Sequence, residues 1–311
     1  MTPVEFCGLT LAHPLVNGSG TYDAIAARRV FGDALLEAFP FSAFVSKTIT
    51  LQPRTGNAPP RLWETPAGMI NSIGLPNRGL QGYLEHDLPE LAALPVALIT
   101  NVMGSTAAEV CRLVEAVDAR TEIAAIELNV SCPNVRTGLD IGADPASLAA
   151  LVRAVRPLTT KPLIVKLTPN TADVAAVAVA AESEGADAVS LINTLRAMAL
   201  APGTGRPWLG GGSGGLSGAA IRPVALAQVA AVARRVAIPI VGMGGVATGK
   251  HAQDLLSAGA TLVAVGTESF RDPSAAARIG CELKSLQIAG SPSTRVNESE
   301  AQVEVDVNSA E

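Results

Sequence analysis

The fold of this sequence is constrained most by an alternation of short apolar segments with longer, alanine-rich segments of helical period. The apolar segments are rich in Val, Ile and Leu, which is typical of parallel strands covered on both faces. We predict strands at 15–19, 43–48, 96–102, 124–131, 162–167, 188–194, 238–244 and 262–267. The helices predicted to follow them cover 23–38, 79–93, 105–118, 145–157, 171–184, 219–235, 248–258 and 273–287. This order predicts an α/β fold, a (β/α)8 or TIM barrel.

Two insertions interrupt the alternation, at 49–78 and at 195–218. The second is glycine-rich and could be a linker between domains, but two further strands are needed after it to close the barrel. We therefore expect both insertions to be loops over the C-terminal mouth of the barrel, the second of them mobile. Residues 290–311 are polar and acidic and have no period, which predicts a disordered tail after a single barrel domain spanning 1–289.

The composition raises the question of a membrane, since 48% of the residues are hydrophobic, only 16% are charged, and the mean hydropathy is +0.33. A spanning helix needs about 20 apolar residues, and the best candidate, 172–181, contains Asp173 and runs into Glu182. The N-terminus lacks the basic and apolar regions of a signal peptide. We therefore expect a cytoplasmic protein with a large core and no membrane partner.

Charge and cysteine content exclude two further classes of site. The net charge is −5 and no basic run occurs, which argues against a nucleic-acid partner. The cysteines are scattered at Cys7, Cys111, Cys132 and Cys281 without a CxxC pair, and the three histidines are isolated. We therefore expect no metal ion or iron–sulfur cluster held within this chain.

Polar residues gather at the C-terminal ends of the predicted strands, where the active site of a barrel enzyme lies. They are Ser19, Lys47, Thr48, Asn101, Asn129, Cys132, Lys166, Asn193 and Thr194. Any one of them could simply end a strand, but two lysines and three asparagines on one rim predict a site. One lysine could neutralise a substrate carboxylate and the other could stabilise an electron-rich ring. The asparagines, with Asn71, suit the edges of a cyclic amide.

The last two strands end in glycines, at Gly244 and Gly245 and at Gly266 before Thr267. Glycines here let backbone N–H groups approach an anion, and the loops after strands seven and eight of this fold commonly bind phosphate. Cys132 lies in a polar loop just past the fourth strand, where its thiol could act as a base near neutral pH.

Several longer motifs resemble one enzyme family. They are GMINSIGLPNRGL (68–80), ELNVSCPNVRTG (127–138), INTLRAM (192–198), GGLSGAAIRPVAL (214–226) and IVGMGGVATG (240–249). Together they resemble the class 1 dihydroorotate dehydrogenases, and the similarity runs from about residue 4 to residue 275. GMINSIGLPN and SCPNVRTG resemble the NAD-linked 1B branch, in its catalytic FMN subunit, more than the fumarate-linked 1A branch.

The resemblance implies a role for each matching position. One FMN per subunit would lie across the barrel mouth, and Cys132 would be the catalytic cysteine. The positions that match FMN contacts are Ser19, Lys47, Thr48, Asn101, Asn129, Lys166, Ile192, Gly218, Gly244, Gly245, Gly266 and Thr267. Those that match substrate contacts are Lys47, Asn71, Ser72, Ile73, Gly74, Leu75, Asn129, Asn193 and Thr194.

The resemblance also implies a mechanism and a partner. Cys132 would remove the C5 proton of dihydroorotate while a hydride leaves C6 for N5 of FMN, and Lys166 would stabilise the reduced flavin. Enzymes of the 1B type form a homodimer that joins an electron-transfer subunit carrying FAD and a [2Fe–2S] cluster, giving a heterotetramer that reduces NAD+. This chain lacks cysteines for that cluster, so the partner would supply them.

Other functions remain open from the sequence. The electron acceptor could be fumarate, or the substrate another pyrimidine, as in dihydropyrimidine dehydrogenases, which share the NxSCP-type loop. A colourless aldolase could use Lys166 to form a Schiff base, and a scaffold barrel would bind no ligand. The polar residues gathered on one rim argue against the scaffold.

Overall fold

The computed structural model describes residues 1–130 and 141–289. Its strands are, in chain order, β1 (Val4–Phe6), β2 (Leu9–Leu11), β3 (Leu15–Asn17), β4 (Ala43–Val45), β5 (Leu62–Thr65), β6 (Gly68–Asn71), β7 (Ala97–Val102), β8 (Ala125–Asn129), β9 (Leu163–Lys166), β10 (Ala188–Leu191), β11 (Leu195–Ala197), β12 (Gly214–Ser217), β13 (Ile240–Met243) and β14 (Leu262–Val265).

Several helices begin where a capping side chain meets a run of apolar period. They are α1 (Ala24–Phe31), α2 (Ala34–Glu37), α3 (Gly79–Gly82), α4 (Leu88–Leu91), α5 (Ala107–Asp118), α6 (Pro145–Val155), α7 (Val174–Ser183), α8 (Arg222–Ala233), α9 (Gly249–Ser257), α10 (Glu268–Arg271) and α11 (Ala275–Ala289). The side chains of Asp23, Thr106, Asp144, Asp173 and Thr248 each accept a hydrogen bond from the backbone N–H three residues on. These bonds satisfy donors that a helix cannot satisfy by itself.

Eight parallel strands form the central sheet, in the order β3–β14–β13–β10–β9–β8–β7–β4. Apart from the insertions, each strand from β4 to β14 pairs with the next strand along the chain, β3 and β4 stand at the two ends of the order, and helices cover the outer face. The predicted (β/α)8 barrel is therefore confirmed. No helix among residues 1–130 and 141–289 is both long and apolar enough to cross a membrane.

The side chain of Asn17 closes the barrel between its two end strands, β3 and β4. Its Nδ2 donates to the Val45 carbonyl at 2.8 Å, and its Oδ1 accepts from the Val45 N–H at 2.8 Å. The Ser42 N–H also donates to the Leu15 carbonyl at 3.0 Å. Because Asn17 is fully buried, its amide takes the place of a rung of the backbone ladder that would otherwise be left unpaired.

The core has two parts, one inside the barrel and one between the strands and the helices. Small side chains at the starts of strands, such as Ala43, Ala125 and Ala188, line the inside together with Phe6 and Leu11 of the β1–β2 hairpin. The hairpin therefore fills the N-terminal end of the barrel. The larger outer cluster packs helices α5 to α9 against the sheet. Two buried layers account for much of the high apolar content.

The two insertions pair with each other over the mouth. β5 and β6 from the first insertion and β11 and β12 from the second form an antiparallel sheet in the order β11–β12–β6–β5, which we call the mouth sheet. Ile70, Ala199 and Leu209 are buried beneath it, against Trp63. The expectation that 195–218 is only a loop is wrong for both ends of that segment, since long-range pairing to β6 organises it.

Element boundaries differ from the predicted ones mostly at their ends. The predicted strands 15–19, 43–48 and 188–194 end two or three residues early, because the polar residues that follow already belong to the mouth. The predicted helix 23–38 divides at Gly32, whose φ of 63° ends α1. The predicted helix 79–93 contains a π-helical turn at Tyr83–Asp87. Residues 290–311 lie outside the described residues, so the division into one domain and a tail stays a prediction.

Candidate active site

A cavity of about 1060 Å³ lies between the C-terminal ends of the barrel strands and the mouth sheet. Ligand pockets usually measure about 300–1,000 Å³, so this cavity has room for a cofactor and a small substrate together. Strand ends form its floor, and residues of β5, β6 and β12 form part of its wall. This is the end of the barrel at which enzymes of this fold bind their substrates.

The two predicted lysines both line the cavity, but in different surroundings. The Lys47 side chain is exposed to the open space of the cavity. The protein atoms around Lys47 lower its pKa by desolvation, and the nearby Asp23 carboxylate partly opposes that shift. Lys166 is buried, with 6% of its surface exposed, and its side-chain ammonium makes no hydrogen bond or ion pair with another residue of the described chain. A buried cation without a partner is costly, so Lys166 is suited to an anionic or electron-rich ligand.

A chain of polar side chains joins three strand ends on one side of the floor. Ser19 Oγ donates to the Ser46 carbonyl at 2.8 Å and lies 3.3 Å from Thr48 Oγ1. Asn129 Nδ2 donates to Thr48 Oγ1 at 3.2 Å. These bonds fix the side chains that follow β3 and β4 relative to the end of β8. They therefore hold the polar groups of this rim in one arrangement before any ligand binds.

Asn101 lies one layer deeper than expected. It is fully buried and does not line the cavity, unlike Asn129 and the other predicted contacts. Its Nδ2 donates to the Glu127 carboxylate at 2.5 Å, and its Oδ1 has no hydrogen-bond partner among the described residues. An unpaired buried acceptor costs about 1–3 kcal/mol, so a donor from a bound molecule or from water is expected at this atom.

The glycines predicted to bind phosphate lie together after the neighbouring strands β13 and β14. Gly244 has a φ of 131° and Gly245 a φ of 71°, conformations that side chains rarely adopt. A Cβ on Gly245 would lie 2.7 Å from Arg222 Cβ and 2.9 Å from the Gly218 carbonyl oxygen. At Gly266 a Cβ would meet no atom closer than 3.7 Å, so its backbone faces open space. Backbone N–H groups can thus reach an anion here.

The mouth sheet brings the two predicted substrate segments together. Asn71 pairs with Gly215 in the β6–β12 ladder, and β12 pairs with β11, which begins directly after Thr194. Within 71–75, Ser72 Oγ accepts a hydrogen bond from Asn57 Nδ2 at 2.9 Å. Gly74 and Leu75 follow with φ values of 76° and 55°, which turn the chain back toward the barrel. All the residues of 71–75 line the cavity.

The structure therefore brings together the described members of the predicted site, except for Asn101. Ser19, Lys47, Thr48, 71–75, Asn129, Lys166, 192–194, Gly218, Gly244, Gly245, Gly266 and Thr267 line one cavity. Cys132 lies outside the described residues. Sequence reasoning did not single out Thr21, Arg196, Glu268 or Arg271, which also line the cavity. Asn170, whose Nδ2 donates to the Thr194 carbonyl at 3.0 Å, was also missed. Of these residues, only Arg196 belongs to a motif noted in the sequence, INTLRAM, which could have identified it.

Comparison with known families decides what this cavity belongs to. A family model described as dihydroorotate dehydrogenase matches residues 1–286. The chain belongs to the dihydroorotate dehydrogenase family. Among solved structures, a dihydroorotate dehydrogenase from Eimeria tenella in complex with ferulenol superposes with a TM-score of 0.76 at 23% identity, covering 93% of this chain and 85% of that one. At that identity the superposition supports the fold alone.

Curated relatives are similar over most of their length. A protein of Desulforudis audaxviator is 45% identical over 287 residues, or 91% of each chain, and one of Geobacter sulfurreducens is 43% identical over 285 residues, covering 90% of this chain and 91% of that one. Both are named dihydroorotate dehydrogenase B (NAD(+)), catalytic subunit. A protein of Solibacter usitatus, 43% identical over 91% of this chain and 93% of its own, bears a provisional name, dihydroorotate dehydrogenase A (fumarate).

Dihydroorotate dehydrogenases use FMN, and the described residues fit that group. Gly244 and Gly245 line the cavity in conformations that require glycine, because a Cβ at either position would collide with Ala225 or Arg222 of α8. Lys166 offers an unpartnered buried cation, and Asn101 offers an unpaired acceptor beneath the floor. A phosphate, an electron-rich ring and a ring N–H are the groups that these three features suit.

Proposed function

We propose that this chain is the FMN-binding catalytic subunit of an NAD+-linked dihydroorotate dehydrogenase, which oxidises dihydroorotate to orotate in pyrimidine biosynthesis. The observation that carries the proposal is the similarity to two NAD+-linked catalytic subunits over nine-tenths of the chain. The cavity supports it, because its lysines, amides and glycines suit a phosphate-bearing cofactor and a small anionic ring. We place the enzyme in the cytoplasm, as the unpaired cysteines suggest.

The proposed cofactor site uses both walls of the cavity. Gly244, Gly245, Gly266 and Thr267 would hold the FMN phosphate with backbone N–H groups, and Gly218 and Ile192 would adjoin them. Ser19, Thr48 and Asn129 would contact the remainder of the cofactor, Asn101 would offer its unpaired Oδ1 from beneath the cavity floor, and Lys166 would place its positive charge near the ring. When bound, FMN supplies the acceptor for the hydride that leaves C6 of the substrate.

The proposed substrate site is formed where the mouth sheet meets the rim. Lys47 would pair with the carboxylate of dihydroorotate, a role consistent with its exposure to the cavity. Asn71, Asn129 and Asn193 would hold the ring amides, and the 71–75 segment and Thr194 would complete the wall. Holding the ring by several groups aligns both reacting C–H bonds, which is a large part of the catalytic effect.

Cys132 is proposed as the base. Its thiolate would take the proton from C5, and the electron pair of that C–H bond would become the second bond between C5 and C6 as the hydride departs. The products are orotate and a neutral thiol, and the proton and the two electrons of the substrate are both accounted for. The support is the position of Cys132 in the SCPN motif directly after β8.

A second subunit with FAD and a [2Fe–2S] cluster is proposed to carry electrons to NAD+. An iron–sulfur cluster is held by cysteine thiolates. In this chain, burial raises the pKa of the Cys7 thiol to about 12, which disfavours its thiolate. We also propose a homodimer, giving a heterotetramer. Four large apolar side chains on and beside the mouth sheet remain exposed, Leu62, Met198, Leu200 and Trp208, and exposed apolar surface is common at protein–protein interfaces.

The second candidate keeps the chemistry and changes the acceptor to fumarate. It is favoured by the Solibacter usitatus relative, whose identity to this chain equals that of the Geobacter sulfurreducens protein. An enzyme that uses fumarate would need no iron–sulfur partner for turnover with that acceptor.

A turnover assay separates the two candidates. The chain is purified alone and with its co-expressed native partner, and orotate formation is followed with NAD+ and with fumarate as acceptors. We expect NAD+ reduction by the complex alone and no turnover with fumarate in either preparation. Turnover of the isolated chain with fumarate would contradict the NAD+ assignment while leaving the dehydrogenase assignment intact.

A further inference from the structure

The barrel interior contains a buried acid that the proposed mechanism does not use. Glu127 lies on β8, two residues before Asn129, and only 3% of its surface is exposed. Alternate residues of a strand point to the same face, so Glu127 shares the inner face with Asn129 and lies one layer below the cavity floor. Among the described residues, Glu127 and Lys166 are the two charged residues that are buried.

Both carboxylate oxygens of Glu127 accept hydrogen bonds. Oε1 accepts from Asn101 Nδ2 at 2.5 Å, and Oε2 accepts from Ser190 Oγ at 2.8 Å. Each oxygen of Glu127 thus faces a group that can donate, as an acceptor-only carboxylate requires. Asn101 is the direct partner of Glu127 on β7, whereas Ser190 lies on β10, beyond the intervening strand β9.

The hydrogen bond to Glu127 also determines which side-chain amide atom of Asn101 has no partner among the described residues. With Nδ2 committed to the carboxylate, the side chain cannot flip without placing its Oδ1 against a negative charge. Oδ1 therefore stays as the free acceptor, which is the atom without a partner among the described residues. Glu127 thus sets the orientation of a group that lies directly beneath the cofactor cavity.

Lys166 lies on β9, the strand next to that of Glu127. In the strand ladders, Lys166 is paired in register with Asn129 on β8 and with Ser190 on β10. Asn129 lies two residues after Glu127, and Ser190 is one of the hydrogen-bond donors to Glu127. Strand spacing and rise place the Glu127 and Lys166 Cα atoms about 8 Å apart. They make no ion pair within 4.0 Å, so the two buried charges act on each other and on the cavity through the low-dielectric interior.

We propose that Glu127 is a positioning residue of the cofactor site: it orients Asn101 and sets a fixed negative charge opposite Lys166 that lowers the reduction potential of bound FMN. This inference rests on the proposed function, because it requires FMN in the cavity. Reduction makes the flavin more electron-rich. A negative charge beneath the floor therefore disfavours the reduced form, and its removal favours that form.

The test measures the midpoint potential of FMN bound to the chain. In Glu127→Gln, which keeps the size of the side chain and removes the charge, we expect the ratio of reduced to oxidised FMN at a fixed potential to rise about tenfold. For a two-electron couple that is an upward shift of about 30 mV. Ser190→Ala is the matched control, since it removes one hydrogen bond of the network and keeps the charge. We expect it to change the ratio less than twofold.

The outcomes distinguish this inference from the function on which it rests. A wild-type chain that binds no FMN contradicts both. FMN binding with a Glu127→Gln ratio within twofold of wild type overturns the inference alone, as does a shift in Ser190→Ala as large as that in Glu127→Gln. If Glu127→Gln does not fold, Glu127→Met takes its place with the same expected direction. If neither variant folds, Glu127 is a structural residue and the proposal is rejected.

Discussion

Replacing Gly245 by Ala perturbs the loop that is proposed to hold the FMN phosphate. Gly245 has a φ of 71°, and an L-residue in this left-handed conformation costs about 1–2 kcal/mol. The new Cβ would also lie 2.7 Å from Arg222 Cβ and 2.9 Å from the Gly218 carbonyl oxygen. Overpacking of this kind costs about 1–3 kcal/mol. The substitution should therefore cost about 2–5 kcal/mol in all.

That cost divides between folding and cofactor binding. If the loop keeps its conformation, the strain lowers the free energy of unfolding. If the loop relaxes, the strain disappears but the backbone N–H groups leave their positions, and FMN binds more weakly. Each 1.4 kcal/mol is about tenfold in affinity, so the limiting case is a dissociation constant raised about 30-fold to about 3,000-fold. Urea unfolding of the apoprotein and quenching of flavin fluorescence measure the two parts.

Gly8→Ala is the matched control for Gly245→Ala. Gly8 has a φ of 80°, and a Cβ there would meet no heavy atom within 4 Å. It lies between β1 and β2, at the other end of the barrel from the cavity. We expect a loss of about 1–2 kcal/mol in stability and unchanged FMN affinity. The reasoning is refuted if the two losses in Gly245→Ala together stay below about 0.5 kcal/mol, or if Gly8→Ala weakens FMN binding equally.

Three further predictions concern the base, the barrel closure and a lysine. Cys132→Ser should slow reduction of FMN by dihydroorotate at least about 100-fold at neutral pH and leave FMN affinity unchanged, whereas Cys281→Ser, at an exposed cysteine, should change neither quantity; a wild-type rate in Cys132→Ser removes this residue from its role. Asn17→Ala should lower the free energy of unfolding in urea by about 1–3 kcal/mol for each buried backbone group of Val45 left unpaired. The control Gln81→Ala, which loses only an exposed hydrogen bond, should lower it by under about 0.5 kcal/mol. Equal losses in the two variants would show that the Asn17 amide does not close the barrel. Because burial lowers the pKa of Lys47, the KM for dihydroorotate should rise with pH as its charge is lost, starting below the usual lysine range. Lys47→Arg should move that rise to higher pH, and an identical KM profile in this variant would argue against pairing of Lys47 with the substrate carboxylate.

The rim of the site could be predicted from the sequence because two local rules suffice for it. Apolar runs identify parallel strands, and parallel strands in a barrel end at one face, so Lys47 and Lys166 must both lie at the mouth whatever the detailed packing. The same holds for the glycines at 244 and 245, since their position after a strand limits them to the mouth. These inferences need only the order of the elements.

The mouth sheet could not be predicted in this way. β6 and β12 pair Asn71 with Gly215 across 144 residues of sequence, and β12 itself reads GGLS, a poor strand by composition. Its glycines instead permit close approach of the neighbouring backbone. Pairing of this kind depends on the barrel first bringing the two insertions together, which no local pattern records.

Two buried polar side chains show the same limit inside the barrel. Asn17 lies inside the predicted strand 15–19 and was not singled out from the sequence, yet its amide joins β3 to β4. Glu127 belonged to a motif used for its cysteine, and its own bonds to Asn101 and Ser190 depend on which strands face each other across the interior. Interior partners follow from closure of the barrel, which the sequence implies only in outline.

Anaerobic titration of the FMN-loaded chain with dihydroorotate tests the central claim most directly. The flavin absorbance is followed as substrate is added, without any electron acceptor or partner subunit, so that only the half-reaction assigned to this chain is observed. The account predicts bleaching of the bound flavin with formation of orotate, one molecule for each FMN reduced. A flavin that binds in the chain and stays oxidised in the presence of excess dihydroorotate would contradict it.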